Sequence, residues 1–278
     1  MFMLKLFTSL GSIYTFIFLC VIGIGWFALN YFMPALPLKI SIATGFKGRA
    51  YETLGHQYQK ILARSHVQLD VHLSNGSGEN LKLLQDPHSD VQVALVQGGV
   101  ADVNTAPDLL SLGRINHQLF WIFYRGQETL EQMAQLKNKR IAVGPAGSGT
   151  QIVAAKVLNA NGIKYATAIL LPLAGLEAAK ALTEGSIDVA FLAFSLDAPV
   201  VQSLLRDPKI HLMSFPRAEA LTRIYPFLER VVLSEGVIDL EKNIPARDID
   251  LNLIRSHLGR VDRIHGVEKA EAAIVRFG

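Results

Sequence analysis

The sequence predicts an α/β protein made of two related lobes. Short segments with the alternation or the apolar character of strands are separated by segments with helical periodicity. Glycine-rich turns stand where strands give way to helices, and the same order of segments occurs twice. Strands that alternate with helices form parallel sheets, which bind ligands at the carboxyl ends of their strands. Two such lobes create a cleft, a common place for a small-molecule site.

The first lobe opens with an alternating strand, Leu38–Ala43, which runs into a glycine loop, Thr44–Gly48. The segments that follow are predicted as a helix from Ala50 to about Arg64, a strand at Val67–Leu73, a turn at Ser74–Gly78, a helix near Glu79–Gln85 and a buried strand at Val91–Val96.

The second lobe repeats that order. Its predicted segments are a strand at Arg140–Val143, a glycine loop at Gly144–Gly149, a helix at Thr150–Ala160, a strand at Ala168–Leu171, a helix at Glu177–Thr183 and a buried strand at Val189–Phe194. The interval from Glu79 to Asp90 equals that from Glu177 to Asp188, 11 positions in each case, and an Asp-Val pair opens the last strand of each lobe. These coincidences favour two copies of one plan over a chance alignment of two βαβ stretches.

The loop at Gly144–Thr150 has the features of an anion site. It opens directly into a helix, whose first turn carries unpaired N–H groups and a partial positive charge. Thr150 stands where a phosphate-binding loop needs lysine, and Ile152 stands where a dinucleotide fingerprint needs its third glycine. We therefore expect anion binding without phosphoryl transfer. An ordinary strand-to-helix connection with small residues for packing is the alternative.

The N-terminal segment predicts a membrane anchor. No charged residue occurs from Leu10 to Met33, a run somewhat longer than the ~20 apolar residues that span a bilayer. No suitable cleavage site follows the run, which favours an uncleaved anchor over a signal peptide. Lys5 precedes the run and indicates a cytoplasmic N-terminus with the remainder exported.

Composition limits the organisation and the partners. The 278 residues carry a net charge of +3 without a basic stripe, so nucleic acid is not an expected partner. We divide the chain into an anchor at 1–36, a first lobe at 37–125, a second lobe at 126–230 and a return segment with an atypical, possibly truncated tail at 231–278.

Catalysis finds little support in the sequence. The eight histidines show no metal-ligand spacing, no Gly-x-Ser-x-Gly motif is present, and the single cysteine, Cys20, lies within the predicted anchor. Asp90 and Asp188 open strands and are interpreted as structural residues. We expect no enzyme activity, no metal and no cofactor.

Several motifs together resemble the TAXI-type solute-binding proteins, the extracytoplasmic binding subunits associated with TRAP transporters. They are Thr44-Gly45 with Tyr51 on the next helix, Gly76-Ser77-Gly78-Glu79-Asn80-Leu81, Asp90 followed by Gln97, and Lys139-Arg140 through Gly149-Thr150. The resemblance implies a two-lobed periplasmic-binding-protein-like fold of the two-crossover type, here with an N-terminal transmembrane helix. It also implies small carboxylate ligands such as glutamate, glutamine or 2-oxoglutarate.

The resemblance also implies the binding residues. Those of the first lobe are Thr44, Gly45, Tyr51, Ser77, Asn80 and Gln97, and those of the second lobe are Ser148, Gly149 and Thr150. Hydroxyl groups, amides and helix N-termini suit a carboxylate, because they donate hydrogen bonds without a full opposing charge. As alternatives, Ser77 and Asn80 cap the following helix, and Tyr51 is a packing aromatic.

Two departures from the family pattern bear on the site. Lys47 and Arg49 place positive charge in the first loop, either beside the cleft, where it would favour a dianionic ligand, or in solvent. After Asn252 the family continues with an apolar strand and a long helix, whereas Leu253–Gly278 is rich in arginine and histidine, and we expect no such strand there.

We therefore expect a membrane-tethered solute-binding protein that works with a TRAP-type permease, its globular part on the periplasmic side of the inner membrane. The alternatives are an anchored ligand sensor that acts on a membrane partner without transport, a truncated copy that binds nothing and, last, an enzyme.

Overall fold

The computed structural model describes residues 14–27, 39–102, 104–164, 167–215 and 217–261. Residues 14–27 form a helix, α1, on which every side chain is exposed. Among the described residues, no helix is both long and apolar enough to cross a membrane. The rest of the predicted anchor, at 1–13 and 28–36, lies outside the described residues.

A single compact unit contains the described residues from Lys39 to Val261. Its strands are β1 (Lys39–Ala43), β2 (Gln68–His72), β3 (Val93–Gln97), β4 (Leu109–Arg125), β5 (Arg140–Ala142), β6 (Ile169–Leu171), β7 (Val189–Phe194), β8 (Ile210–Leu212), β9 (Leu228–Leu233) and β10 (Ile249–Val261). Its helices are α2 (Ala50–Ala63), α3 (Ser77–Gln85), α4 (Gly149–Ala160), α5 (Gly175–Glu184), α6 (Pro199–Arg206) and α7 (Ala218–Ile224), with a 3-10 turn at Met133–Leu136.

The strands form one ten-stranded sheet in the order β2-β1-β3-β10-β4-β7-β5-β6, with β8 beside β4 and β9 beside β10. β1 pairs in parallel with β2 and β3, and β5 pairs in parallel with β6 and β7. The parallel strands predicted for each lobe are thus confirmed, with both triplets in the same relative order. The carboxyl ends of these triplets carry the loops that the sequence predicts as ligand-binding.

Two long strands join the halves, as expected for a two-crossover fold. β4 pairs with β10 from Leu109 to Phe120 and with β7 from Leu119 to Tyr124. β10 pairs with β9 at its start and with β3 from Ser256 to Arg260.

The expectation that no strand continues past Asn252 is wrong, since β10 runs to Val261. Arg255 is accommodated because a polar partner lies beside it: its guanidinium donates to the Glu229 carboxylate of β9 at 2.9 Å. The long helix that the family pattern places after this strand would fall at residues 262–278, outside the described residues.

The apolar core divides unequally between the halves. The second half holds one large cluster around Trp121, Phe120 and Phe191 on β4 and β7. The first half has two smaller clusters, one around Leu84 and one around Leu69.

The Asp-Val pair of the second half has a structural role. Asp188 accepts hydrogen bonds from the Arg140 backbone N–H at 2.8 Å and from the Arg140 guanidinium at 2.7 Å. These bonds hold the pKa of Asp188 below its usual value, the side-chain bond to Arg140 being the largest cause. The interpretation of Asp188 as structural is therefore confirmed, whereas Asp90, its counterpart, is exposed.

Candidate functional site

The site lies where the N-terminus of α3, from the first half, meets the N-terminus of α4, from the second. The Gly78 N–H donates to the Gly147 carbonyl oxygen across the cleft at 2.9 Å. A Cβ atom on Gly76 would lie 3.2 Å from the Cα of Ser148, and one on Gly78 would lie 2.7 Å from the Gly147 oxygen. Glycine is required here because only a bare backbone allows the two loops to approach this closely.

Gln97 lies directly behind this contact. Its side chain, at the carboxyl end of β3, packs against Gly149, where a Cβ atom would fall 2.4 Å from the Gln97 Oε1. The residue is 5% exposed, and its Nε2 has no hydrogen-bond partner within the part of the chain that the structure describes. A buried donor without a partner is costly, so this amide is a strong candidate for contact with a ligand.

The N-terminus of α4 supplies further donors. Ser148 caps α4, since its Oγ accepts from the Gln151 N–H at 3.2 Å. The N–H groups of Gly149 and Thr150 donate to no acceptor among the described residues. The first turn of α4 contains no acidic residue, so its partial positive charge is uncompensated by its own sequence.

Three predicted residues of the first half are bonded within the protein. The Thr44 hydroxyl donates to the His72 carbonyl at 3.1 Å, and the Ser77 hydroxyl accepts from the Gln97 N–H at 3.0 Å. Asn80 is fully buried; its Nδ2 donates to the carbonyl oxygens of Thr44 (2.9 Å) and Leu95 (2.7 Å), and its Oδ1 accepts from the Ser74 hydroxyl. These residues hold the loops of the first half in place and leave few polar groups for a ligand.

Gly45 and Tyr51 complete the predicted set. A Cβ atom on Gly45 would lie 3.9 Å from the Gly76 Cα and 4.0 Å from the Tyr51 ring, so both glycine loops of the first half meet at this point. Tyr51 itself packs against the apolar cluster around Leu69. The structure thus brings all nine predicted residues to one region. Some of them support the loops through bonds within the protein, whereas Gln97, Gly149 and Thr150 have donors that no acceptor among the described residues satisfies.

Arg49 makes a second contact between the halves. Its guanidinium lies against Gly175, the first residue of α5, where a Cβ atom would be 2.5 Å from the nearer nitrogen. Both Lys47 and Arg49 are exposed. The sequence left open whether these two residues lie beside the cleft or in solvent. Arg49 lies beside the cleft, because it contacts the second half at Gly175.

A third contact involves residues that the sequence did not indicate. Lys156 of α4 donates to the Gly99 carbonyl at 2.6 Å, and its ammonium lies 5.7 Å from the centre of the Phe227 ring. That ring packs on Gly99, where a Cβ atom would lie 2.4 Å from it. The sequence feature that could have indicated this contact is the pair Gly98-Gly99 directly after β3, because adjacent glycines after a buried strand indicate close backbone approach.

A protein-family model, the NMT1-like family, matches residues 42–246, well over half of the chain. The chain belongs to the NMT1-like family. The match spans both glycine loops and every predicted binding residue. No curated protein matches the NMT1-like chain by sequence.

Solved structures similar to the NMT1-like chain support the fold. A protein from Bordetella bronchiseptica RB50 has a TM-score of 0.51 at 18% identity; the alignment covers 81% of this chain and only 64% of that protein. The alkanesulfonate-binding protein SsuA of Xanthomonas axonopodis pv. citri, bound to MOPS, has a TM-score of 0.51 at 17% identity, covering 87% and 71%. The ligand-binding domain of AvGluR1, in complex with phenylalanine, has a TM-score of 0.50 at 12% identity, covering 86% and 89%. The NMT1-like chain therefore has the two-lobed fold of periplasmic solute-binding proteins.

Proposed function

We propose that this chain is a membrane-tethered solute-binding protein of the TAXI type, which captures a small carboxylate between its two lobes for a TRAP-type transport system. One observation carries the proposal. The uncompensated N-terminus of α4 faces the buried, unpartnered amide of Gln97 across the cleft. Together they offer several donors and no full charge, which suits a carboxylate such as that of glutamate, glutamine or 2-oxoglutarate.

The proposal assigns two roles to the predicted residues. Gln97, Ser148, Gly149 and Thr150 would contact the carboxylate, since their open donors lie at the contact between the loops. Thr44, Gly45, Tyr51, Ser77 and Asn80 would hold the first-half loops in the geometry that receives it. Ligand binding would stabilise the closed arrangement through contacts that the open arrangement lacks.

Thermal unfolding of the full chain in mild detergent tests the proposal. We expect glutamate, glutamine or 2-oxoglutarate to raise the melting temperature, because a ligand at 100 times its Kd adds about 2.7 kcal/mol to the free energy of unfolding. Gln97→Leu should abolish the shift, and the matched variant Gln127→Leu, at an exposed position, should retain it. A cooperatively unfolding protein that responds to none of these acids, nor to C4-dicarboxylates, would contradict the proposal.

The tether and the transport partner need separate tests. The uncharged run from Leu10 to Met33 supports a tether, so we expect the chain to stay with membranes after alkaline carbonate extraction. Co-purification of a TRAP-type permease would support transport. Ligand binding without such a permease would favour the second candidate, an anchored sensor. β10 argues against the alternative of a truncated copy, because it supplies the strand that returns to the first half.

A further inference from the structure

The side chain of Lys156, on α4, forms a bond between the halves that the proposed function does not use. Its ammonium donates to the carbonyl oxygen of Gly99, two residues beyond β3, at 2.6 Å. Lys156 is half-buried, and it forms no ion pair with any carboxylate of the described residues. Lysines are mostly exposed, so a half-buried ammonium bonded to the main chain of the other half calls for a role in that contact.

Two aromatic residues of the second half hold the Lys156 side chain in position. The Tyr225 hydroxyl donates to the Lys156 carbonyl oxygen at 3.0 Å, and the centre of the Phe227 ring lies 5.7 Å from the ammonium. Both aromatic residues pack against the large apolar cluster of the second half. An ammonium beside an aromatic face is stabilised by a cation–π interaction. The donor is thus held on one half, and its acceptor lies on the other.

Lys156 continues the face of α4 that meets the first half. Gly149 packs against the Gln97 side chain, and Ile152 packs against the first-half cluster around Leu84. Positions 149, 152 and 156 are three and four residues apart, so they lie on one side of the helix. The Cα atoms of Gly149 and Lys156 are roughly 10 Å apart along the helix axis. Because the ammonium is also bonded at the Gly99 oxygen, we expect it not to contact a carboxylate at the first turn of α4.

The acceptor of this bond belongs to the turn that carries Gln97. The Val100 N–H donates to the Gln97 carbonyl oxygen at 3.3 Å, which closes a tight turn over Gly98 and Gly99. A bond from Lys156 to this turn keeps the Gln97 amide beside the first turn of α4. Charged donors form stronger hydrogen bonds than neutral ones. Since donor and acceptor lie on different halves, this bond exists only while the halves meet.

We propose that Lys156 is a positioning residue of the binding site: through its bond to Gly99 it stabilises the closed arrangement of the halves, and it thereby sets how long a bound carboxylate is retained. The inference rests on the proposed function and adds the regulation of the same site. A contact made only in the closed arrangement shifts the balance between the two arrangements. Because a ligand enters while the halves are apart, loss of the bond should speed dissociation and leave association nearly unchanged.

The first test measures the separation of the halves without a ligand. Spin labels are attached at Lys60→Cys on α2 and Lys180→Cys on α5, both exposed positions, in the full chain with Cys20→Ser and in mild detergent. Double electron–electron resonance should show a larger share of long distances after Lys156→Met, because methionine keeps the apolar stem and removes the ammonium. Lys156→Arg keeps a charged donor and should restore the original distribution. Lys164→Met, at an exposed lysine beyond α4, is the matched control and should leave the distribution unchanged.

The second test measures ligand kinetics by stopped flow with glutamate, glutamine and 2-oxoglutarate. For each acid that the wild type binds, Lys156→Met should raise the dissociation rate about tenfold and change the association rate less than about twofold. Lys156→Arg should return the dissociation rate to within about threefold of the wild type, because the donor and its charge are kept. Lys164→Met should match the wild type in both rates.

The outcomes separate this inference from the proposed function. A distance distribution that Lys156→Met leaves unchanged would overturn the inference alone, even if the variant bound the acids more weakly, since Lys156 would then contact the ligand directly. An unchanged dissociation rate would overturn it as well. An equal loss of unliganded melting temperature in Lys156→Met and Lys156→Arg, without a change in distance, would show a static structural contact and would also overturn it. A wild type that binds none of the three acids would overturn the proposed function, and a shift to longer distances in Lys156→Met would still support the role of Lys156 in closure.

Discussion

Two helix-end contacts join the halves of this protein, and they differ in charge. In the sequence repeat α2 corresponds to α4 and α3 corresponds to α5, so the contact of α3 with α4 has its counterpart in the contact of α2 with α5. At the first contact the two backbones meet directly, with the Gly78 N–H bonded to the Gly147 oxygen, and no charged side chain is among the nearest atoms. In the second, the Arg49 guanidinium lies against the first residue of α5. At the α3–α4 contact, the first N–H groups of α4 are therefore available to a ligand. At the α2–α5 contact, the Arg49 side chain lies in the equivalent position, against the first residue of α5.

Because of this difference, we expect the α2–α5 contact to attract an anion and the α3–α4 contact to bind it. A cation beside a helix N-terminus is unfavourable, because both are positive, and an anion nearby relieves the repulsion. Arg49 is exposed. We therefore expect its charge to act mainly by attracting anions toward the cleft. The α3–α4 contact, whose donors are buried, is where the anion would be held.

The largest effect is expected at Asn80, which supports the first-half side of the α3–α4 contact. Asn80→Ala leaves the Thr44 and Leu95 carbonyls and the Ser74 hydroxyl without this partner, at about 1–3 kcal/mol for each group left unsatisfied. The free energy of unfolding, measured with urea, should fall by about 3 kcal/mol or more. Asn159→Ala, at an exposed helical position, serves as the control and should change it by less than about 0.5 kcal/mol. Equal effects of the two substitutions would contradict the role given to Asn80.

Gly149→Ala tests the second-half side of the same contact. In the arrangement that the structure shows, the added methyl group would collide with Gln97, whose Oε1 lies 2.4 Å from the position of the new Cβ. Ligand affinity should fall at least tenfold, about 1.4 kcal/mol, because the two halves can no longer meet at this point. Gly25→Ala, where nothing lies within 4 Å, should leave affinity unchanged. Unaltered affinity in Gly149→Ala would show that the halves need not meet there.

Asp188→Asn tests the frame that carries the α4 loop. Because Arg140 lowers the pKa of Asp188 in the folded state, the pair stabilises the protein above the unfolded-state pKa and loses this contribution as pH falls through the lowered folded-state pKa. The variant should be less stable by about 1–2 kcal/mol at pH 7, and the difference from the wild type should shrink in acid below about pH 4. Glu184→Gln, from an exposed pair with Lys180, should show little difference at any pH. A difference that does not vary with pH would exclude the ion pair as its cause.

The smallest effect is expected at the α2–α5 contact. Arg49→Gln should slow association of an anionic ligand a few-fold at low ionic strength, with little effect at 1 M salt, because exposed charges are screened. Stopped-flow fluorescence at several salt concentrations would measure this, with Arg64→Gln, at the opposite end of α2, as the control. A loss of affinity that persists at 1 M salt would instead place Arg49 in direct contact with the ligand.

Much of this fold could be predicted because strands and helices leave local signals. Val189–Phe194 was predicted with the bounds that the structure has, since it is a short continuous apolar run that begins after Asp188. β10 was missed because its arginines and histidine are typical of a surface segment, whereas the partner of Arg255, Glu229, comes from another strand. Such pairing depends on tertiary structure and leaves no local pattern.

The site was predictable in position but not in detail. Glycine loops before helices located the α3–α4 contact, because only glycine permits that approach. The sequence could not show that Asn80 is saturated by main-chain partners while Gln97 has an open donor, because both are single amides near strand ends.

The most direct test of the central claim is to follow the backbone amides of Gly149 and Thr150 by NMR in the full chain, labelled with ¹⁵N-glycine and ¹⁵N-threonine, during titration with glutamine. A carboxylate held at the N-terminus of α4 should shift both amide signals saturably, with a Kd equal to that from thermal unfolding, while Gly162, beyond the far end of α4, stays unchanged. A ligand that raises the melting temperature but leaves both signals unmoved would place the anion elsewhere and contradict the account.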